Sequence, residues 1–143
     1  MKNLLLILSL LITTSIFAQE KWGEVNKNSV VMYEFGPIWP GCEGGTIETR
    51  RACFEKNLVQ HIVKNYKYPA NEYKKNIQGK VVVKFVINQK GLVAIKSVTG
   101  GNKGLQAEAK RNIMAIPKMK PGMMGGKPIE SEYTVPFTFK TNK

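Results

Sequence analysis

The two cysteines are the clearest candidates for chemistry in this chain of 143 residues. Cys42 and Cys53 form an even pair, and an even count in an exported protein is typical of a disulfide. Such a bridge closes a short loop and stabilises the fold by about 3 kcal/mol in the chain-entropy treatment. A redox pair would have the C-x-x-C spacing, and a metal site would need further ligands, whereas the one histidine, His61, lies farther along a predicted helix. We therefore predict a structural Cys42–Cys53 disulfide, no metal site and no cofactor.

Side chains suited to enzymatic catalysis are scarce. The sequence contains no aspartate, so a Ser-His-Asp triad is excluded. Glu130 and Glu132 alternate along a predicted strand, in the manner of charges that discourage edge-to-edge aggregation. No glycine-rich phosphate loop precedes a helix, and no spacing matches a zinc site. The methionines at 114, 119, 123 and 124 contain thioethers that copper accepts, although packing is their more common role. We predict that the protein is not an enzyme.

The N-terminus predicts export. Residues 1–18 begin with a basic Lys2, continue with an apolar run that ends at Phe17, and close on the small Ala18. The apolar run is short for a bilayer span, which takes about 20 residues. We predict a signal peptide that is cleaved after Ala18, and an uncleaved inner-membrane anchor is the alternative.

The chain is strongly basic, with 22 Lys and Arg against 10 acidic residues and a formal net charge of +12. A field of this size favours acidic partners or anionic surfaces. Export separates the protein from nucleic acid, so we expect no nucleic-acid partner. The charge then indicates a well-solvated surface with an attraction to acidic proteins or membranes.

The strongest structural signal is a β-hairpin at Ile77–Lys96. Its first strand alternates in period 2 and has one wholly apolar face, formed by Val81, Val83, Phe85 and Ile87. Asn88–Gly91 supplies the turn, because Gly91 can adopt a positive φ without a Cβ clash. The second strand, Leu92–Thr99, changes phase along its length, which predicts a bulge near Lys96 and Ser97.

Two amphipathic helices are predicted beside this hairpin. The first starts near Thr49, is capped by Thr46 or Thr49, and ends before Tyr68 and Pro69. Its apolar stripe, widened by two valines, consists of Phe54, Leu58, Val59, Ile62, Val63 and Tyr66. The second helix spans Leu105–Ile116 and stops at Pro117.

Shorter segments connect these elements. Residues 34–42 are rich in proline, glycine and aromatic residues, so we expect an extended strap held against the core. Pro69 favours the start of a short helix over 70–76. Residues 118–128 are predicted to be a basic loop, since glycine, proline and methionine dominate there.

The last strand, Glu130–Lys140, contains a proline, and this determines its place in the sheet. Pro136 has no N–H, so it is tolerated at an edge where its backbone faces away from the ladder. The backbone groups of Thr134 and Thr138 then also point outward. The resulting fold class is α+β, with a small three-stranded antiparallel or mixed sheet in the order second–first–third and two main helices packed on one face.

A group of short motifs also occurs in a familiar order. The motifs are Pro37–Gly41, Tyr68-Pro69, Gly79-Lys80-Val81, Leu105–Arg111, Pro117–Gly122, Gly126-Lys127-Pro128 and Pro136–Phe139. In this order they resemble the C-terminal domain of TonB, in the form common in Bacteroidetes-like bacteria. The resemblance covers about Pro37–Phe139. Gln106 replaces the usual Asp and Met119 the usual aromatic residue, which indicates looser packing.

The resemblance implies a periplasmic domain that engages outer-membrane TonB-dependent transporters. In the family the rim strand binds a short extended transporter segment, the TonB box, by strand addition, and a Tyr-Pro pair lies near the partner. Carried over to this chain, the partner-binding residues are Tyr68, Pro69, Ser131, Tyr133, Thr134, Pro136 and Thr138. Family members also dimerise readily, so the resemblance allows a homodimer as well.

The predicted domain organisation follows from both sets of observations. It consists of a signal peptide over 1–18, a partly flexible segment over 19–36, the TonB-like domain over 37–140 and a tail over 141–143. TonB itself has an inner-membrane anchor followed by a long proline-rich spacer. In this chain the apolar run is short, and no proline-rich spacer follows it. A soluble binding module is therefore the favoured function, and a membrane-anchored energy transducer is the alternative.

Overall fold

The computed structural model describes residues 34–142 of the chain. The predicted signal peptide and most of the segment over 19–36 lie outside the described residues. The elements, in chain order, are β1 (Glu34–Phe35), α1 (Ile47–Asn65), α2 (Ala70–Lys74), β2 (Gly79–Ile87), β3 (Val93–Thr99), α3 (Lys103–Met114), β4 (Gly122–Met124), β5 (Lys127–Ile129) and β6 (Ser131–Phe139).

The main sheet has the strand order β3-β2-β6, as the sequence predicts, and both neighbouring pairs are antiparallel. The apolar face of β2 is fully buried, because each of its side chains lies under the helices. The register of β2 with β6 is continuous from Gly79 opposite Phe139 to Ile87 opposite Ser131. The most apolar strand therefore occupies the centre of the sheet, and β3 and β6 form its two margins.

The predicted irregularity in β3 is confirmed. Lys84 pairs with Ser97 and the next residue, Phe85, pairs with Ile95, so Lys96 is the extra residue of a bulge. The Lys96 ammonium lies 3.0 Å from the carboxylate of Glu130 in an exposed ion pair. This margin of the sheet is thus both kinked and charged.

The turn between β2 and β3 is tightly held. Gly91 has a φ of 77°, which confirms the role predicted for it. Its carbonyl accepts a hydrogen bond of 3.0 Å from the N–H of Met119, a residue beyond α3. A Cβ at position 91 would collide with the carbonyl of Met119. Glycine is therefore required here by contact as well as by φ.

A second, small sheet was not predicted. The basic segment over 118–128 contains β4 and β5, which form a hairpin, and β1 pairs with β4 on its other side. Ile38 forms a further bridge to Lys120. The prediction of a loop was wrong in this part because the glycines and prolines obscured short strands whose partner, β1, is distant in sequence. Gly126, in the β4–β5 turn, has a φ of 77°, and a methyl group added at its Cα would have no neighbour within 4 Å.

Helix α1 begins at Ile47, two residues before the predicted start. Thr46 is its N-cap, and its hydroxyl accepts a hydrogen bond of 3.3 Å from the N–H of Thr49. Phe54 and Leu58 are buried, as predicted. The prediction that two valines widen the core stripe was wrong, since Val59 is 60% and Val63 is 69% exposed. Because α1 lies at the margin of the sheet, only a narrow stripe of it reaches the core.

The other helices follow their predicted positions. Pro69 is the N-cap of α2, which ends two residues before the expected Asn76. Asn102 caps α3 by accepting a hydrogen bond of 2.9 Å from the N–H of Leu105. Helix α3 packs against β2 and β3, where Leu105, Ala109 and Ile113 are buried. The core thus lies between the sheet and the two main helices.

The strap over residues 36–42 is held against α1. A disulfide joins Cys42 to Cys53, whose Cα atoms are 5.8 Å apart. Trp39 is buried and meets Phe54 edge to face, with ring centroids 6.0 Å apart. The disulfide and the aromatic contact fix the strap beside the N-terminal half of the helix.

Candidate functional site

Strand β6 has one open side. Within residues 34–142 its strand neighbour is β2, and no described strand covers its other side. We call this open side the rim. Residues with odd numbers face the helices, and Phe137 and Phe139 are buried there, whereas the even-numbered residues are exposed. The rim is nine residues long, which is above the usual strand length.

The orientation of the backbone along the rim follows from Pro136. In an antiparallel strand the N–H and C=O of one residue point to the same side, and this side alternates along the chain. Pro136 has no N–H to give to β2, and Thr134 and Thr138 share its phase. The carbonyl of Thr138 accepts a hydrogen bond of 3.5 Å from the hydroxyl of Tyr66, which is outside the ladder. Glu132 and Thr134 therefore offer both N–H and C=O to a further strand, whereas Pro136 offers only its C=O and the C=O of Thr138 already accepts from Tyr66.

Helix α1 runs alongside the rim in the same direction. Near the start of β6, the rings of Phe54 and Tyr133 have centroids 5.1 Å apart. Near its end, Tyr66 stacks on Phe139 at 5.3 Å. The exposed Val59 and Val63 lie between these two contacts along α1. The rim and the outer stripe of α1 thus border one groove.

The groove contains two hollows. The first hollow has a volume of about 410 Å³ and is lined by Glu34, Phe35, Gly36, Pro37, Ile38, Ile47, Arg50, Arg51, Phe54, Glu55 and Tyr133. The second hollow has a volume of about 250 Å³ and is lined by Ile62, Val63, Tyr66, Pro136, Phe137 and Thr138. Both have walls that are mainly apolar, which is typical of sites for side chains of a partner.

The first hollow contains two arginines and two glutamates: Arg50, Arg51 and Glu55 come from α1, and Glu34 comes from β1. Arg51 and Glu55 form an exposed ion pair of 3.0 Å. The guanidinium of Arg50 donates to the carbonyls of Thr46 and Gly45 at 3.3 and 3.4 Å and lies 5.9 Å from the centroid of the Phe35 ring. No carboxylate among the described residues pairs with it. Arg50 is thus a cation available to a bound segment.

Tyrosine hydroxyls border both hollows. Burial raises the pKa of Tyr133, and burial with the nearby Tyr68 and Glu108 raises the pKa of Tyr66. Both hydroxyls therefore remain protonated at neutral pH and can donate hydrogen bonds. Tyr66 uses this capacity on the Thr138 carbonyl, at the end of the rim.

The structure distributes the predicted site residues over two places. Ser131, Tyr133, Thr134, Pro136 and Thr138 all lie on β6, and three of them, Tyr133, Pro136 and Thr138, line a hollow.

Tyr68 and Pro69 lie beyond the end of the rim. The Tyr68 hydroxyl donates a hydrogen bond of 2.6 Å to the carbonyl of Ile77, and its ring meets Phe139 edge to face at 5.5 Å. Pro69 starts α2. Neither residue lines a hollow, and the ring of Tyr68 supports the Phe139 end of the strand.

Sequence reasoning missed the contribution of α1. Arg50, Val63 and Tyr66 line the hollows, and none was predicted as a site residue. The available signal was the width of the apolar stripe, which exceeds what one sheet face needs. Periodicity alone assigned the excess to the core.

No cluster with metal-binding geometry occurs in the part of the chain that the structure describes. No three acidic, cysteine or histidine side chains come together there as a metal site requires. The Nε2 of His61 donates to the carbonyl of Asn112 at 3.0 Å, which joins α1 to α3. Its role is therefore structural.

The described architecture is that of a small α+β domain with an open strand beside a helix-lined groove. The family model for the Gram-negative bacterial TonB protein C-terminal domain matches residues 64–141, and the chain belongs to this family. The family is a non-enzymatic, transport-associated domain that is periplasmic in Gram-negative bacteria. None of the helices within residues 34–142 is long and apolar enough to span a bilayer.

One solved structure illustrates the likeness. The solution structure of the Helicobacter pylori TonB C-terminal domain is 20% identical in sequence, with a TM-score of 0.45. The match covers 71% of this chain and 88% of that one. No curated protein matches the chain.

Proposed function

We propose that this protein is a soluble periplasmic module that binds outer-membrane TonB-dependent transporters by adding one of their extended segments to β6. The observation that carries the proposal is the nine-residue rim, whose even-numbered peptide groups point away from β2. In strand addition the main-chain hydrogen bonds supply affinity and the alternating side chains supply specificity. Family membership supports the class of partner.

The exposed valines of α1 and the charge of the chain give two further physical arguments for partner binding. Val59 and Val63 are exposed side by side on α1, one helical turn apart, where most of each side chain is left uncovered by the described fold. Exposed apolar residues of this kind mark interaction surfaces. The net charge of +12, which removal of Lys2 with the signal peptide lowers by one, would steer an acidic segment towards the protein and speed association at low ionic strength.

Location and mode of action depend on the N-terminus. We propose cleavage after Ala18, which leaves a soluble domain whose core is the predicted 37–140. An uncleaved apolar run would instead make the protein an energy transducer anchored in the inner membrane. Sequencing the N-terminus of the mature protein distinguishes the two, because a start at Gln19 eliminates the anchored form.

A proline substitution tests the mode of binding. Thr134→Pro removes one outward N–H from the rim and leaves the ladder with β2 intact. We expect at least a tenfold loss of affinity for a transporter or its N-terminal peptide, which corresponds to about 1.4 kcal/mol. Isothermal titration calorimetry with the periplasmic domain and such a peptide measures the effect.

Thr134→Val is the matched control, because it retains the N–H and the β-branched shape. It should bind like the unmodified protein, and both variants should unfold at denaturant midpoints close to the original. Undiminished binding by a folded Thr134→Pro protein would mean that the segment docks elsewhere.

A further inference from the structure

The spacing of the two hollows sets a spacing in the partner. Tyr133 lines the first hollow and Phe137 the second, and four residues of a strand span about 13 Å. On the helix side, the lining of the first hollow runs from Ile47 to Glu55 and that of the second from Ile62 to Tyr66. The spacing in the partner is therefore taken from β6, the strand against which the added segment would lie.

An added strand has the same rise per residue as β6. The residues opposite Tyr133 and Phe137 are then four apart, and because four is even, their side chains point to the same face. This face is the one towards α1, since Tyr133 and Phe137 themselves point towards the helices. Each hollow thus receives one side chain of the added segment.

The first hollow suits a large aromatic side chain. Three of its walls are the rings of Phe35, Phe54 and Tyr133, and the volume is about 410 Å³. The centroids of Phe54 and Tyr133 are already 5.1 Å apart, which is the separation of stacked or tilted aromatic pairs. The guanidinium of Arg50, over Phe35, adds a cation for the ring face or for a neighbouring acidic group.

The second hollow suits a branched aliphatic side chain. Its volume is about 250 Å³, and Ile62, Val63 and Pro136 form aliphatic walls. The ring of Tyr66 is stacked on Phe139 and so closes one end. A larger ring would have less room here than in the first hollow.

We infer that the segment added at the rim is an acidic peptide that places a large aromatic side chain in the first hollow and, four residues away, a branched aliphatic side chain in the second. The acidic character follows from the net charge, +12 less the one charge of Lys2, because the two arginines of the first hollow are balanced there by Glu34 and Glu55. The inference rests on the proposed strand addition. It adds a recognition pattern by which one extended segment is distinguished from another.

Synthetic peptides test the pattern. Nine-residue Ser-Thr peptides with acidic ends match the length of the rim. One series has Phe and Val four residues apart, in both orders because the added strand can run either way. The second series has them five apart, which puts the two side chains on opposite faces. We expect one of the two peptides with the four-residue spacing to bind at least about tenfold more tightly than the peptides with the five-residue spacing.

Protein variants link the preference to each hollow. Val63→Glu and Ile47→Glu change an exposed side chain in the second and first hollows respectively, and Leu92→Glu makes the same change at an exposed apolar position distant from the groove. The first two should remove the preference for the four-residue spacing. Leu92→Glu should retain it.

The outcomes separate this inference from the proposed function. Equal binding of both spacings, still blocked by Thr134→Pro, would overturn the recognition pattern and leave strand addition standing. Failure of every peptide, together with transporter binding that Thr134→Pro does not change, would overturn both. A homodimer in sedimentation that Val63→Glu converts to a monomer would also overturn it, since a second copy would then occupy the groove.

Discussion

The two margins of the main sheet are both formed by edge strands, but one strand is bulged and the other keeps a continuous register. At β3, the extra residue Lys96 breaks the register, and its ion pair with Glu130 puts charge on the margin. At β6, nine residues keep one register with β2, and α1 runs beside them. Both margins lack a second strand neighbour among the described residues, and the inserted Lys96 is the main structural difference between them.

This difference shows how a small sheet can present a single docking edge. A bulge twists and interrupts the row of peptide groups, which makes β3 a poor template for another strand. Pro136 also interrupts a row of donors, but at one position and in the phase that leaves its neighbours available. Substitutions at each margin test whether the two margins are independent in stability and in function.

The largest effect is expected for Phe54→Ala. Phe54 is buried and joins α1 to Tyr133 of the open margin and to Trp39 of the strap. Its truncation should lower the free energy of unfolding by about 3–5 kcal/mol. Urea denaturation measures the change. Val59→Ala, on the exposed side of the same helix, should stay within about 0.5 kcal/mol.

The same variant distinguishes the margins locally. Hydrogen exchange in Phe54→Ala should speed up in α1 and β6 more than in β3. A uniform increase over the whole sheet would contradict the independence of the two margins.

The second effect concerns the disulfide. Replacing both Cys42 and Cys53 by serine should destabilise the fold by about 3 kcal/mol, because the unfolded chain regains the entropy of the open loop. The strap forms one wall of the first hollow, so peptide binding should also weaken. Calorimetry and denaturation measure both changes.

Reduction of the unmodified protein with a thiol is the matched control for the disulfide variant. It should reproduce both the loss of stability and the loss of binding. A serine variant that binds as tightly as the original would show that the strap does not shape the groove.

The smallest effect is expected at the β3 margin of the sheet. Lys96→Ala removes an exposed ion pair, which is worth a few tenths of a kcal/mol. Stability should hardly change, and peptide binding at β6 should not change at all. A substantial loss of binding in this variant would mean that the two margins are coupled, through β2 or through Glu130, which directly precedes β6.

Local patterns accounted for the main sheet because its signals lie within single segments. The alternation around Val83 identified the central strand, and the phase change after Ile95 located the bulge. Pro136 was enough to put β6 at an edge. The pairing of β1 with β4 escaped because neither strand has a pattern of its own and the two are distant in sequence.

Only half of the candidate site could be predicted from the sequence, for a related reason. The phase of the rim follows from one proline, so Thr134 and Thr138 could be chosen from sequence. The helix wall depends on where α1 lies relative to the sheet, which periodicity does not specify. Periodicity therefore predicted Val63 to be in the core, whereas the structure places it in the wall of the second hollow.

The close contact between Gly91 and Met119 has a practical consequence for inserting reporters into this protein. Hairpin tips are usually the first choice for inserted tags, but here the tip is joined to Met119 with no space for even one added carbon. At Gly126 a Cβ would meet nothing within 4 Å, but the φ of 77° favours glycine, so a short epitope inserted beside it suits the turn better than a substituted residue. A tag there would sit on the small sheet and leave the contact of Gly91 with Met119 intact.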